Sequence, residues 1–356
     1  MALAHIDGLP TRVKNEIVVA AFKRGEPLSA FFGKNAADWV AEYELAEEAV
    51  AFVEAAKASL GNYSFLAEDL LSQGYQMIPI TDPAYPASLK RNLKYNSPLL
   101  LYVKGNPELL NSPCTAIVGS RKAGARSLEF TANVARKYVS EGRTVVSGYA
   151  AGVDRRAYDE TVRAGGNSII ILPQGITTFG AGYRAEHKYI SRGKVAVVSP
   201  FAPAAPWTVG LAMARNPIIY GFADTIYAAE SDSKGGTFSG VVDGLRRRRE
   251  IYVRVPEAGE DCANDLLIEL GAVGVDIDGE KIAGGINFLE ILKEYLKAAP
   301  RSVKEISSHL YNADDKTAQG KARRLLNQID DVQKSEGSPV RYFLSSTPTQ
   351  ASLFDL

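Results

Sequence analysis

Three glycine-rich stretches hold the residues most able to do chemistry. They are Gly119-Ser120-Arg121-Lys122-Ala123-Gly124, Ser147-Gly148-Tyr149-Ala150-Ala151-Gly152-Val153-Asp154 and Ser233-Lys234-Gly235-Gly236-Thr237. Each follows a short apolar run and precedes a helical pattern. Small residues let backbone N–H groups approach an anion, and the start of a helix favours negative charge. Arg121 and Lys122 in the first stretch and Lys234 in the third add cations; arginine grips phosphate with two hydrogen bonds and lysine adds a point charge. Arg155, just beyond the second stretch, joins this set. The chemistry is phosphate binding, with either a nucleotide or a polynucleotide as ligand. No Lys-Ser/Thr follows a G-x-x-x-x-G, and the dinucleotide fingerprint G-x-G-x-x-G is missing.

Other chemistry finds less support. His5, His187 and His309 fall in different predicted units, without metal-ligand spacing, so neither metal nor cofactor is expected. Ser147 and Asp154 have no histidine beside them, which leaves Ser147 as a turn or phosphate-binding hydroxyl and Asp154 as either a helix cap or a ligand contact. Cys114 and Cys262 form no C-x-x-C pair and read as small buried hydrophobes. Tyr149, Tyr158, Phe179 and Tyr183 lie near the loops as base-stacking platforms or core, with core the expectation for each; Trp39 and Trp207 also read as structural. The run Arg246-Arg247-Arg248-Arg249 reads as a solvated helix end, where cations complement the dipole.

The elements that must position these loops alternate. Apolar runs at Leu99–Lys104, Thr115–Val118, Thr144–Val146, Asn167–Leu172, Lys194–Val198, Thr225–Ala229 and Glu250–Val253 read as strands. Helical patterns at Leu128–Glu141, Val153–Ala164, Leu211–Ile219 and Thr237–Arg249 lie between them. That alternation predicts an α/β fold with a parallel sheet, ligands sitting beyond the carboxyl ends of its strands. Residues 1–72 read as an acidic helical domain and 73–280 as the α/β domain. Residues 286–345 read as three helices and a β-wing, the parts of a winged helix. There Ser302 and Glu305 form a capping box, and Phe288–Leu296, Lys321–Ile329 and Val340–Leu344 supply two further helices and a strand. Residues 346–356 read as a flexible tail.

The 356 residues carry 41 Lys+Arg against 41 Asp+Glu, so any polyanion site must come from local concentration of cations. The start lacks the pattern of a signal peptide and no apolar run is long enough to span a bilayer, so a cytoplasmic protein without membrane contact is expected.

In order, Ile117-Val118-Gly119-Ser120-Arg121, Val145-Val146-Ser147-Gly148-x-Ala150-x-Gly152-x-Asp154, Gly165-Gly166 and Arg215-Asn216-x-Ile218-Ile219 resemble the DNA-processing protein A (Smf) family. Asp82-x-x-Tyr85-Pro86-x-x-Leu89 and Leu101-Tyr102-x-Lys104-Gly105-Asn106 resemble its entry segment. The resemblance runs over roughly residues 75–275. It implies an extended Rossmann-like domain that forms a homodimer and binds single-stranded DNA without catalysis. It also implies loading of the recombinase RecA onto incoming DNA in natural transformation. By motif position, Gly119, Ser120 and Arg121 would hold phosphates, Arg215 and Asn216 would line the pocket, and Lys234 with Gly235 and Gly236 would close it. The sequence departs from the family at Tyr158, where histidine is usual, and at Pro217, where a second arginine is usual, which removes one expected phosphate contact.

Gln350-Ala351-Ser352-Leu353-Phe354 resembles the pentapeptide by which bacterial replication and repair proteins bind the sliding clamp, with Gln350, Leu353 and Phe354 as the contacting residues. The alternative is a nucleotide sensor or a phosphoribohydrolase-type enzyme. Such enzymes carry Pro-Gly-Gly-x-Gly-Thr-x-x-Glu, echoed only in fragments at Leu172–Gly175 and Gly235–Thr237. The acid is missing, and the nearest one after Thr237 is Asp243.

Overall fold

The structure is a computed structural model and describes residues 1–257, 259–282, 288–327, 329, 331–335 and 338–345. Five helices come first: α1 (Thr11–Lys23), α2 (Leu28–Gly33), α3 (Ala36–Tyr43), α4 (Glu47–Ala58) and α5 (Leu60–Ser72). Then follow β1 (Gln76–Pro79), α6 (Ala87–Leu93), β2 (Leu100–Gly105), β3 (Cys114–Val118), α7 (Ala125–Ser140), β4 (Thr144–Ser147) and α8 (Val153–Arg163). Next come β5 (Ser168–Ile171), α9 (Gly180–Ser191), β6 (Val195–Ser199), α10 (Val209–Phe222), β7 (Thr225–Ala228) and α11 (Gly236–Arg246). The chain continues through β8 (Ile251–Arg254), α12 (Asn264–Glu269), β9 (Val273–Val275), α13 (Phe288–Ala298), β10 (Arg301–Ser302) and α14 (Val303–Tyr311). It closes with α15 (Lys316–Leu326), β11 (Val332–Lys334) and β12 (Arg341–Leu344). The expected alternation is present, and the fold is Rossmann-like α/β.

Two compact units divide the chain. The first is Met1–Thr115, Tyr138–Tyr149 and Tyr158–Asp224; the second is Ala116–Lys137, Ala150–Ala157 and the chain from Thr225 onward.

The strands of the first unit run in the order β1-β2-β6-β5-β4. Strands β4, β5 and β6 are parallel, with Ile169 opposite Val146 on one side and Ala196 on the other. Every residue of β5 and β6 is buried, as continuous apolar runs require of strands covered on both faces. Strand β2 is antiparallel to β6, and β1 to β2; β1 heads the order and ends at Pro79.

Helices α1–α4 enclose a core of their own around Leu3, Ile17, Phe31, Trp39 and Val53. Trp39 donates its indole N–H to the Phe31 carbonyl at 2.8 Å, so the largest buried ring has no unmet polar group. Asn15 donates to the carbonyls of Tyr95 and Ser97 and pins α1 to the turn before β2. Leu70 of α5 packs with Tyr102, Ile170 and Val197.

The second unit orders its strands β3-β7-β8-β9, with β7, β8 and β9 parallel. After it come α13–α15 and a small antiparallel sheet, β10-β12-β11. The Ser302–Glu305 capping box is present at the start of α14. Lys321 of α15 pairs with Glu269 of α12 at 2.7 Å.

Several expectations shift. No periodicity marks an element between Leu172 and Lys194, yet α9 lies there. Helix α15 begins at Lys316 because the Asp315 side chain caps it, accepting from the Ala318 amide. Helix α11 stops at Arg246, since Arg248 turns into the left-handed region at φ 57°. Trp207 is 47% exposed, whereas Trp39 is 1% exposed. Cys114 is buried, and burial pushes its thiol up to about 12; Cys262 is only half-buried.

Candidate functional site

In the second unit, the turn after β3, the start of α8 and the turn after β7 are joined by main-chain contacts. The Ser120 amide donates to the Glu230 carbonyl at 2.9 Å, and the Val153 amide donates to the Ser120 carbonyl at 3.2 Å. Glycine is required twice here. A Cβ on Gly119 would lie 2.5 Å from the Val153 side chain. A Cβ on Gly152, whose φ is +79°, would lie 2.3 Å from the Ser120 carbonyl oxygen. The segments carrying Gly119–Lys122 and Arg155 are therefore packed backbone against backbone, and the chain leading to Lys234–Thr237 is bonded to them.

Glu230 is the residue that sequence reasoning passed over. Its carboxylate accepts from the Gly124 amide at 2.9 Å and from the Ser127 hydroxyl at 2.7 Å. A carboxylate at the first turn of α7 complements the helix dipole, worth roughly 0.3–1 kcal/mol. The amides of Ser120 and Gly124 are thus engaged by the protein itself. What this loop offers an outside anion is its apex, where Arg121 and Lys122 are exposed. The only sequence signal for Glu230 is its place just past β7.

Behind the loop lies a buried polar network. Arg254, 2% exposed, donates from Nη2 to Ser127 Oγ at 2.9 Å and from Nε to the Ala229 carbonyl at 3.1 Å. Its terminal nitrogens also reach Glu260. Asn264, fully buried, donates to the carbonyls of Ala229 and Arg254 and accepts from the Ser231 amide, which anchors the turn leading to the third glycine stretch. At that stretch α11 begins after Gly235 with no side-chain cap, next to the exposed Lys234. No side-chain hydrogen bond caps the first amides of that helix.

The remaining predicted residues belong to the first unit. Ser147 closes β4 and is buried, as is Gly148. Arg215 sits on α10 at 3% exposure, with the half-buried Asn216 beside it and Pro217 inside the helix. Tyr149 has a left-handed backbone, φ 58°, and packs edge-on against Tyr158 and Phe179 at 5.0 and 5.4 Å. Tyr149 and Tyr158 both donate their hydroxyls to the buried Glu186. Phe179 meets Tyr183 at 5.1 Å, and burial raises the Tyr183 hydroxyl, which donates to the Ile176 carbonyl. These rings are core, as the sequence predicts; Tyr158 at 1% exposure has no face for a base.

Of the arginine run, Arg246 donates to the Asn327 carbonyl and Arg247 pairs with Asp243 at 2.8 Å. Asp243, the first acid after Thr237, is thereby held by its own helix. A groove of about 630 Å³ borders α1 in the first unit; Glu16, Glu42, Glu44 and Glu48 line it, a poor setting for a polyanion. Among the described residues no group of His, Cys, Asp and Glu is placed to hold a metal, and no helix is long and apolar enough to cross a membrane.

Residues 76–282, more than half of the chain, match the family described as DNA recombination-mediator protein A. The chain belongs to that family. The family's description names a recombination mediator. The chain is 32% identical to the DNA processing protein DprA of Streptococcus pneumoniae over 51% of its length and 64% of the relative's. It is 26% identical to the protein Smf of Escherichia coli over 60% of its length and 57% of the relative's. The matches thus span less than two-thirds of these relatives. The solved structure of DNA processing protein A from Streptococcus pneumoniae superposes with a TM-score of 0.64 at 21% identity, covering 77% of this chain and 92% of that one, a likeness of fold.

Proposed function

We propose that the chain binds single-stranded DNA as a recombination mediator through the second unit's loops at Gly119–Lys122 and Lys234–Thr237 with Arg155; for Ser147, Gly148, Arg215 and Asn216 of the first unit a DNA contact is proposed from the family resemblance alone. The observation that carries this reading is the joining of three chain segments at Ser120, Gly152 and Glu230, which gathers cation-bearing loops into one framework. Membership of the mediator family supports it.

The finer roles follow from the family resemblance. The chain pairs with a second copy, protects incoming DNA and hands it to a RecA-type recombinase in the cytoplasm. The domains fall at 1–72, 73–280 and 286–345. Helices α13–α15 and the sheet β10-β12-β11 support a winged helix in the last. The tail residues Gln350, Leu353 and Phe354 tether the protein to the sliding clamp; they lie outside the described residues.

Fluorescence anisotropy with a labelled oligothymidylate tests the DNA reading. Affinity should fall with log[salt], with a slope of about −0.7 per neutralised phosphate. Arg121→Ala should weaken binding and flatten that slope; a wild-type titration indifferent to salt, or an Arg121→Ala variant equal to wild type, removes the proposed interface. Deleting residues 350–356 should abolish clamp pull-down and leave DNA affinity alone.

A further inference from the structure

We infer that Glu230 is the positioning residue of the proposed DNA interface, a staple that holds both ends of the loop presenting Arg121 and Lys122. The inference rests on the DNA reading above for its binding arm and on geometry for the rest.

The loop runs from Gly119 to Gly124. Its near end is held by the Glu230 main chain, whose carbonyl accepts from the Ser120 amide at 2.9 Å. Its far end is held by the Glu230 side chain, whose Oε2 accepts from the Gly124 amide at 2.9 Å. One residue therefore fixes the separation of two points four residues apart, and the exposed apex between them has little freedom left. The carboxylate is itself oriented. Ser127 donates to the same Oε2, and the buried Arg254 donates to Ser127. Within the loop, the Lys122 amide donates to Ser120 Oγ at 3.1 Å, which shapes the apex further. A side chain gripping phosphate loses affinity when its backbone drifts, so the loop's rigidity bears directly on binding.

Positioning and electrostatics predict opposite signs. Glu230 is an acid beside cations meant for a polyanion. By charge alone, removing it should strengthen DNA binding. As a staple, it should weaken binding when removed, despite the gain in positive charge. Glu230→Gln keeps an acceptor for the Gly124 amide and loses the charge. Glu230→Ala loses both.

The experiment measures oligothymidylate affinity for wild type, Glu230→Gln, Glu230→Ala, Arg121→Ala/Lys122→Ala and the triple variant. Exchange rates of the Ser120 and Gly124 amides in the full-length protein are measured alongside. Glu230→Ala should lose roughly tenfold in affinity and Glu230→Gln less than about threefold. The Ala change should add nothing once Arg121 and Lys122 are gone, a non-additivity that general destabilisation would not produce. The Gly124 amide should exchange faster in Glu230→Ala and near the wild-type rate in Glu230→Gln, while the Ser120 amide, bonded to the main chain of residue 230, stays protected in both and serves as the internal reference. Tighter DNA binding by Glu230→Ala, or full additivity with the loop cations, overturns the inference. If Glu230→Ala does not fold, a Glu230→Gln variant that binds DNA more tightly by tenfold overturns it equally. Should wild type fail to bind DNA, the functional reading falls, while the amide exchange still decides whether Glu230 staples the loop.

Discussion

The buried guanidinium of Arg254 meets the Glu260 carboxylate through two nitrogens, Nη1 to Oε1 at 3.2 Å and Nη2 to Oε2 at 2.5 Å. The pair is asymmetric. The Arg254 side chain is 2% exposed and that of Glu260 is 23% exposed, so Glu260 reaches water and Arg254 does not. Breaking a buried pair costs about 3–5 kcal/mol. Arg254→Leu should fall near the lower end, about 3 kcal/mol in urea unfolding, because the orphaned carboxylate can turn outward. Adding Glu260→Leu should recover part of that loss. A single variant as stable as wild type would show that the network does not support the loops.

Gly152 and Gly142 share a positive φ, +79° and +74°, but only Gly152 has backbone within reach of a new Cβ. Gly142→Ala meets open space and pays only the left-handed strain, about 1 kcal/mol. Gly152→Ala must also push the Ser120 and Arg121 carbonyls apart. It should cost more than 2 kcal/mol, about the level of backbone strain plus overpacking, and weaken DNA binding as well. Thermal melts and anisotropy on the two variants separate the effects. Equal losses would show that the contact at Ser120 yields easily.

His5 links pH to the stability of the first unit. It stacks on Tyr102, with Nε2 2.7 Å from the phenol oxygen. Burial, reinforced by Lys14, lowers its pKa from 6.5 to about 4. The folded state holds the ring neutral, so between these values the unfolded chain binds more protons. The contribution is complete above pH 6.5 and drains away as pH falls toward 4. At pH 5.5 the loss should be about 1.4 kcal/mol. Urea midpoints at pH 7.5 and 5.5 for wild type and His5→Gln check this; an identical pH response in both would discard it.

Ser302→Ala tests a helix start visible in the residues alone. The Ser302 hydroxyl accepts from the Glu305 amide, and the Glu305 carboxylate accepts from the Ser302 amide. Losing the hydroxyl should cost about 1 kcal/mol, read as faster amide exchange in the first turn of α14. Protection equal to wild type would mean that tertiary packing alone holds that turn.

What the residues disclosed follows the range of the forces involved. The capping box at Ser302 and the apolar runs of β5 and β6 are local patterns, legible as they stand. Helix α9 was hidden because it opens Gly180-Ala181-Gly182, residues that argue for a turn. The cap at Asp315 lies six residues before the helix that periodicity predicts at Lys321–Ile329, because the first turn it closes, Lys316-Thr317-Ala318-Gln319-Gly320, is polar and small. Glu230 was out of reach. Its partners, Ser120, Gly124 and Ser127, lie more than a hundred positions away, and only the pairing of β3 beside β7 brings them together. The same holds for Arg254, whose neighbour Ser127 comes from α7.

The four-residue strand β1, ending at Pro79, bears on self-association. A proline lacks the N–H that a docking backbone would seek, and a strand this brief gives little purchase to a foreign one. Two molecules of this protein are thereby discouraged from fusing their sheets across that border, and any lasting partnership there would have to be made by side chains.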